Sequence, residues 1–435
     1  MKKNVLLISI LLSSFIVKSQ NVVIPDSIFK SLLVGNTSVN TNGDSEIQLS
    51  EAEAFRTTLY VGSKNIEDLT GIEAFTNLTG LSCYGNKLTS LDVSKNTKLV
   101  TLRCYINQLD TIDVSHNLAL ESLVCHRNSI KNIDVSKNTK LKELTISSLN
   151  ITSLDLSNNP DLEELDCSFT KLTSLNIPFP DKLKMLDFSG LDSLSEMDLS
   201  QFSNLTELGC TSLELDNLDI SVLPNLQVLN CGYNYLTTLD LSQHPNMVRL
   251  NCANNELTKL DVSNLKKLST LYADQNKLAT LDLSKNPLIL YMRCGDNELT
   301  ELNLANGNNE NIRSIHADDC PQLTCIQVDR KSYADSNWIS RIDTTISSFS
   351  EDCGFTNSIH PIQTQFTFYP NPASSMIYAD VFFNGEIEVV NLLGKTLISK
   401  NSTSSSLDIS GLPTGTYYIR VKSNAGLSYA KFQKH

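Results

Sequence analysis

The chain has 435 residues, 40% of them hydrophobic and 19% charged, with a formal net charge of −13. That acidity argues against a nucleic-acid partner, because phosphate recognition needs a basic footprint. The length admits several ordinary domains, or one elongated body if a repeat organises it.

Residues 1–19 read as a secretion signal. Lys2 and Lys3 precede an apolar run from Val5 to Val17, and Val17-Lys18-Ser19 supplies a cleavage end. The run is too short to span a bilayer as a stable helix, and no later segment reaches the length required. The mature chain is therefore expected outside the cytoplasm, without a transmembrane helix and as a monomer.

Residues 20–56 precede the repetitive part and are expected to cap it. Ile24–Val34 has the spacing of a short amphipathic helix, and Glu51–Phe55 continues as a second one. Between them, residues 40–51 resemble an EF-hand or dockerin-type calcium loop. Asn40, Asn42, Asp44, Glu46 and Glu51 stand at loop positions 1, 3, 5, 7 and 12, with Ile47 at position 8. Two departures weaken the match: Asn40 lacks the charge of the usual first Asp, and Ser45 replaces the turn-forming Gly. Calcium held there would bind at the weak extracellular end, about 10⁻⁴–10⁻³ M. The alternative is a polar turn between two capping helices. No other cofactor is implied.

From Leu78 one phrase recurs, first as LTGLSCYGNKLTSLDVSKN. Copies start at Leu78, Leu99, Leu120, Leu141, Leu162, Leu183, Leu205, Leu226, Met247, Leu268, Ile289 and Ile312, with steps of 21 residues except for one of 22 and one of 23. Apolar residues sit at the start and at +3, +10, +13 and +15, with Cys or another buried type at +5 and often Asn at +8. This is the leucine-rich-repeat period and pattern. Residues 57–77 form a degenerate first copy, and NIEDLTGIEAFTNLTGL resembles the opening repeats of internalin-like bacterial surface proteins. The expected fold is mainly β: a solenoid of about 12–13 repeats over 57–325, with a parallel concave sheet, a small helical N-terminal cap and a C-terminal antiparallel β-sandwich.

Within each repeat, +2 to +6 is expected as a strand whose +3 and +5 residues point inward. Asn at +8 should turn inward to bond backbone, and Asp at +14 should hold a turn. Cys83, Cys104, Cys125, Cys167, Cys210, Cys231, Cys252 and Cys294 occupy +5, where a thiol acts as a small hydrophobe. The middle of the array is irregular: Leu149, Thr170, Leu191 and Leu213 replace Asn, and Pro178-Phe179-Pro180 disturbs one return segment, so a kink is expected there. After Ile312, residues 326–353 are expected to form a C-terminal cap. Cys325 and Cys353 lie outside the ladder in an exported chain and are expected to pair as a disulfide.

Residues 354–365 read as a linker, and from Phe366 short alternating strands replace the repeats. Tyr369-Pro370-Asn371-Pro372-Ala373, Asn391-Leu392-Leu393-Gly394-Lys395, Leu412-Pro413-Thr414-Gly415-Thr416-Tyr417-Tyr418 and the basic end Lys431–Lys434 follow one another. They resemble the C-terminal sorting domain of the type IX secretion system of Bacteroidetes, which would cover 366–435. The resemblance implies export to the outer surface through that machinery, with the domain usually removed and the remainder attached to lipopolysaccharide or released.

No HExxH, GxSxG, P-loop or GxGxxG stands at a suitable junction, and the pairs Glu163–Glu164 and Asp318–Asp319 have no evident pocket. The chain is not expected to be an enzyme; a surface enzyme or enzyme accessory component is the remotest alternative. Function is expected at the outward positions +2, +4 and +6, which vary while the core repeats. Tyr84, Arg103, Tyr105, His126 and Arg127 cluster early, and Tyr272, Tyr291 and Arg293 follow late. The expected role is adhesion or binding of an extracellular protein or polysaccharide, with calcium modulation of that binding as a rival reading.

Overall fold

In the computed structural model, residues 20–338, 342, 347–354, 368–379, 385–391, 396–402, 404–423 and 426–435 are described. The expected signal 1–19, residues 355–365 of the expected linker and Leu392–Lys395 of the sorting motif lie outside them. The chain divides after Cys353 into two compact units.

The first unit is a parallel solenoid. Thirteen three-residue strands, from Thr58–Tyr60 to Ser314–His316, pair in register to form its concave sheet. The degenerate first copy supplies the first strand, and its Leu59, Val61, Ile66, Leu69 and Ile72 are all buried. Each strand covers +2 to +4, shorter than the repeat pattern predicts. The ladder continues for a few residues: the Cys83 N–H donates to Arg103 O and the Gly85 N–H to Tyr105 O. It stops because every +7 residue from Gly85 to Asp319 is left-handed, with φ between 53° and 68°. That turn swings +8 into the core.

Two columns of amides then hold the coil together. At +8, Asn86 Oδ1 accepts the N–H groups of Lys64 and Ile66 while its Nδ2 donates to Val61 O and Cys83 O. The second column, at +18, is absent from the sequence reading. Asn96, Asn117, Asn138, Asn159 and Asn286 are buried, and each donates Nδ2 to two carbonyls of the preceding repeat. His244 takes the same place, its Nε2 3.1 Å from Ile220 O. The visible signal is the recurring DVSKN phrase, in which Asn stands four residues after Asp. Those Asp residues accept the N–H two residues on, as Asp92 does from Ser94 and Asp240 from Ser242. The N–H and the serine hydroxyl hold both carboxyls below their ordinary value.

The irregular middle does not interrupt the concave sheet: Leu165 pairs with Leu186, and Leu186 with Leu208. The extra chain is absorbed outside it in 3₁₀ turns at Pro180–Lys182, Asp192–Leu194 and Leu199–Gln201. Toward the end, Thr280–Asp282, Glu301–Asn303, Cys325–Gln327 and Ser348–Ser350 form a second parallel sheet. Helix Lys331–Asn337 and Trp338 close that end, and a disulfide joins Cys325 to Cys353, Cα atoms 5.8 Å apart.

At the other end, Asp26 caps the helix Ser27–Val34 by accepting from Ile28 and Phe29, so the helix begins later than Ile24. Its second oxygen accepts from Glu67 and Asp68, which binds the cap to the first repeat. The helix Leu49–Ala54 opens with a Gln48–Glu51 capping box.

The second unit has two antiparallel sheets, Phe368–Tyr369, Met376–Ala379 and Ser406–Asp408 in one, Thr396–Ser402, Gly385–Asn391, Gly415–Ser423 and Gly426–Lys434 in the other. Ile377, Leu407, Ile387, Val389, Ile419 and Phe432 share its core. Asn371 of the YPNPA phrase donates to Lys431 O and accepts from the Gln433 N–H, so the first motif holds the basic end in place.

Candidate functional site

The early concave positions form a built surface. At +6, Tyr84 stacks on Tyr105 with ring centroids 4.8 Å apart and planes 6° apart, and Tyr105 stacks on His126 at 4.6 Å and 11°. The column starts against Gly62, where a Cβ would sit 2.6 Å from the Tyr84 ring, so only glycine allows that approach. Because the faces are used on one another, the column offers ring edges, two phenol hydroxyls and an imidazole to a ligand. Burial holds His126 below its ordinary pKa; Asp166 opposes that and Arg127 adds to it, so the ring is neutral at pH 7.

Arg103 lies beside the column at +4, between Ser82 and Val124 in the sheet register. It is exposed and makes no ion pair, unlike Arg249 with Glu207 and Arg293 with Asp274 further along the same face. Arg127 is displaced from the strand face the pattern assigned it: it is a left-handed +7 residue, at φ 53°. Tyr272, Tyr291 and Arg293 belong to a separate patch, where the Tyr291 hydroxyl accepts from Arg313. Seven strand steps separate Ser122–Val124 from Thr270–Tyr272, roughly 34 Å at the usual spacing, so one small ligand does not touch both groups.

Between them runs an acidic belt. Glu164 is raised above its ordinary value by burial and by Glu143, Glu207 and Glu163, with Lys184 opposing. Glu163 adjoins it in the sequence, and stacking at a step of 21 or 22 residues brings in Glu143 and Glu207. Asp187 is also raised, first by burial and also by Asp166, against a hydrogen bond from the Ser189 N–H and hydroxyl. A Cβ at position 209 would collide with that carboxylate, so Gly209 makes its niche. At the same repeat position Asn251 accepts the Ala253 N–H, the bond Asp187 makes to Ser189. Asp187→Asn should therefore keep the bond, lose the buried charge and stabilise the solenoid by about 1 kcal/mol. The raised pKa means the native protein itself gains stability as pH falls through that value. The variant's advantage should be full at neutral pH and gone below the ordinary 3.8, read from melting temperatures across pH.

In the 40–51 loop, the oxygens are turned to N–H groups. Glu51 Oε1 accepts from the Thr41 and Asn42 N–H groups and the Thr41 hydroxyl, and Oε2 from the Gln48 N–H. Burial would raise this carboxyl, but those bonds hold it below its ordinary value. Asn40 is buried, donating Nδ2 to Val34 O and Asp44 O and accepting from the Gly43 N–H. The Asp44 oxygens accept from Glu46, Asn42 and Gln48, and Glu46 pairs with Lys30. In this arrangement the loop does not fit a cation: a carboxylate inside it already takes the N–H groups that calcium ligation would turn away. Gly43, at φ 72°, supplies the sharp turn that Ser45 does not.

The eight +5 thiols are free and buried, and burial pushes Cys104 up to about 12. Among the described residues, no group of three or more His, Cys, Asp or Glu is placed to hold a metal, and no helix is long and apolar enough to cross a membrane.

The sequence model of the secretion system C-terminal sorting domain matches residues 367–434. Among curated proteins none matches the sequence. Among solved structures, the functional domain of InlJ from Listeria monocytogenes, described as including a cysteine ladder, is 24% identical with a TM-score of 0.57, covering 96% of this chain and 99% of that one. The internalin InlF of Listeria monocytogenes is 18% identical (TM-score 0.49, 65% and 94% covered), and a leucine-rich-repeat protein of Leptospira interrogans 17% (0.47, 64% and 85%). InlJ shares the solenoid fold, and the C-terminal unit is the export signal. Residues 367–434 are a secretion system C-terminal sorting domain, which marks the chain as secreted or displayed at the outer cell surface, and the unit before it has the leucine-rich-repeat solenoid fold.

Proposed function

We infer that the solenoid binds an extracellular protein or glycan through its concave face, with Tyr84, Arg103, Tyr105 and His126 as the principal contact. The observation that carries this reading is an exposed, unpaired Arg103 beside a rigid stacked column, on a chain whose net charge is −13. Stacking removes the ordering entropy that free side chains would lose on binding. The guanidinium and phenol hydroxyls together suit a ligand presenting acceptor oxygens. Arg and Tyr are also the residue types that dominate interface energetics.

Capture of partners by the repeat region from extracellular matrix, polysaccharides and neighbouring bacterial surfaces identifies the ligand. The triple variant Tyr84→Ser, Arg103→Ala, Tyr105→Ser should then lose roughly 2–4 kcal/mol of binding, about a hundredfold. Unchanged affinity for an identified partner would refute the site. Calcium modulation of the N-terminal cap is the lesser reading, since calcium would have to displace the N–H groups from Glu51. An unchanged melting temperature on adding calcium chloride to about 10 mM, tenfold above the weak end of extracellular-module affinities, removes it.

A further inference from the structure

Beyond the end of the concave strands, a groove of about 440 Å³ opens on the lateral edge of the solenoid. Two columns of side chains line it above the buried Asn234: Asp192, Glu214 and Tyr235 at +9, and Ser212, Tyr233 and Asn254 at +7. It crosses four consecutive repeats, roughly 14 Å at the usual strand spacing.

Two of the repeats at the groove lack the core asparagine, with Leu191 and Leu213 in its place. Leu213 stands where the core asparagine belongs, so Asn234 of the next repeat takes the N–H groups of both Leu213 and Leu215. Ser212 keeps the left-handed turn of every +7 residue, and Glu214 adds a second left-handed residue at φ 57°. Tyr233 is left-handed as well, at φ 54°, where glycine or asparagine would cost less. That conformation belongs to the repeat position, since the exposed Ile106 and Phe169 adopt it too, and it holds the Tyr233 ring out on the surface.

The rings differ from those of the concave column. Tyr233 is 61% exposed and Tyr235 55%, and among the described residues neither stacks on another ring. Around them, Asp192, Ser212, Glu214 and Asn254 make no side-chain hydrogen bond or ion pair. Free aromatic faces beside unused carboxylate, amide and hydroxyl groups match a pyranose, which presents a C–H face and a rim of hydroxyls. The two carboxylates on a chain of net charge −13 repel an anionic polymer. A basic peptide would use the carboxylates and, by cation–π contact, the rings, but its cationic side chains offer no acceptor to the Ser212 hydroxyl and the Asn254 amide.

We propose that this groove binds a neutral polysaccharide segment, at a site separate from the concave contact. Native gel electrophoresis of the mature chain through soluble β-glucan, mannan or xylan tests it. One of these neutral polymers should retard the protein. Tyr233→Asn with Tyr235→Ser should weaken that retardation by roughly tenfold, the scale of losing aromatic contacts. Asparagine suits the left-handed backbone, so the variant should fold, which an unchanged melting temperature verifies. Asp192→Asn with Glu214→Gln should weaken it too, while Tyr84→Ser with Arg103→Ala should leave it intact. No retardation by any of the three polymers overturns the proposal, as does retardation indifferent to the Tyr233 and Tyr235 changes. Binding of polylysine, abolished by the Asp192 and Glu214 changes in place of saccharide binding, overturns it as well.

Discussion

Asn234→Ala is expected to destabilise the solenoid by about 3–5 kcal/mol, the largest effect of any single substitution considered for this chain. The side chain is 5% exposed and serves two successive coils of the chain. Its Oδ1 accepts from Leu213 and Leu215, and its Nδ2 donates to the carbonyls of Cys210, Cys231 and Gly232. Alanine leaves the Leu213 and Leu215 N–H groups and the Cys210 carbonyl without that partner, while Cys231 O keeps Asn255 Nδ2 and Gly232 O keeps the Ser212 N–H; an unsatisfied buried group costs about 1–3 kcal/mol, eased where water enters. The effect should be strong here because Leu213 leaves its own repeat without an inward amide. Urea unfolding followed by circular dichroism measures the loss, and amide exchange should place the opening between Leu205 and Asn255. A loss below about 1 kcal/mol would mean that apolar packing alone closes this turn.

Removing the Cys325–Cys353 disulfide comes second. The bond closes a loop with a sequence separation of 28, and chain entropy puts its contribution at roughly 3–4 kcal/mol. Its mechanical role is local: Ser348–Ser350 is the outermost strand of the second sheet, paired only with Cys325–Gln327. The single tryptophan reports on that end. Trp338 is 1% exposed, with Tyr333 and Phe349 edge-on at centroid distances of 6.1 and 5.9 Å. Cys325→Ser with Cys353→Ser should lower the melting temperature and shift tryptophan emission to the red, since loosening the last strand wets the indole. The nine remaining cysteines are free and buried, so mild reductant should reproduce the shift in the native protein and do nothing further to the variant. An identical melting curve and emission maximum in the variant would show that helix Lys331–Asn337 and its packing close the array unaided.

Much of this molecule is legible because a 21-residue period assigns each residue a rank, and rank decides burial. Leu81, Cys83 and Leu88 are buried at their ranks, and the C-terminal phrases belong to the sorting domain found at 367–434. The Tyr84, Tyr105 and His126 column is a rank property too: residues of one rank stack at the strand spacing. Less legible was anything set by hydrogen bonding between repeats. Asn96 and its successors look like polar turn residues beside Lys95 and Thr97, and only the carbonyls of the preceding coil show why they are buried. Arg127 reads as a strand-face residue until the left-handed +7 turn is seen.

The amino-acid sequence alone thus determined the solenoid, its core ranks, its caps and its export, because these depend on local periodicity and on contiguous phrases. Tertiary structure decided what the side chains between those ranks meet. It turned the calcium-like oxygens of residues 40–51 onto N–H groups through Glu51, raised Glu164 and Asp187 by desolvating them and then by bringing carboxylates of neighbouring coils together, and opened the groove at Tyr233 and Tyr235. Each of these joins residues from different coils or from the two ends of a turn. Their energies come from desolvation and from which donor reaches which acceptor, and spacing along one strand of sequence carries neither.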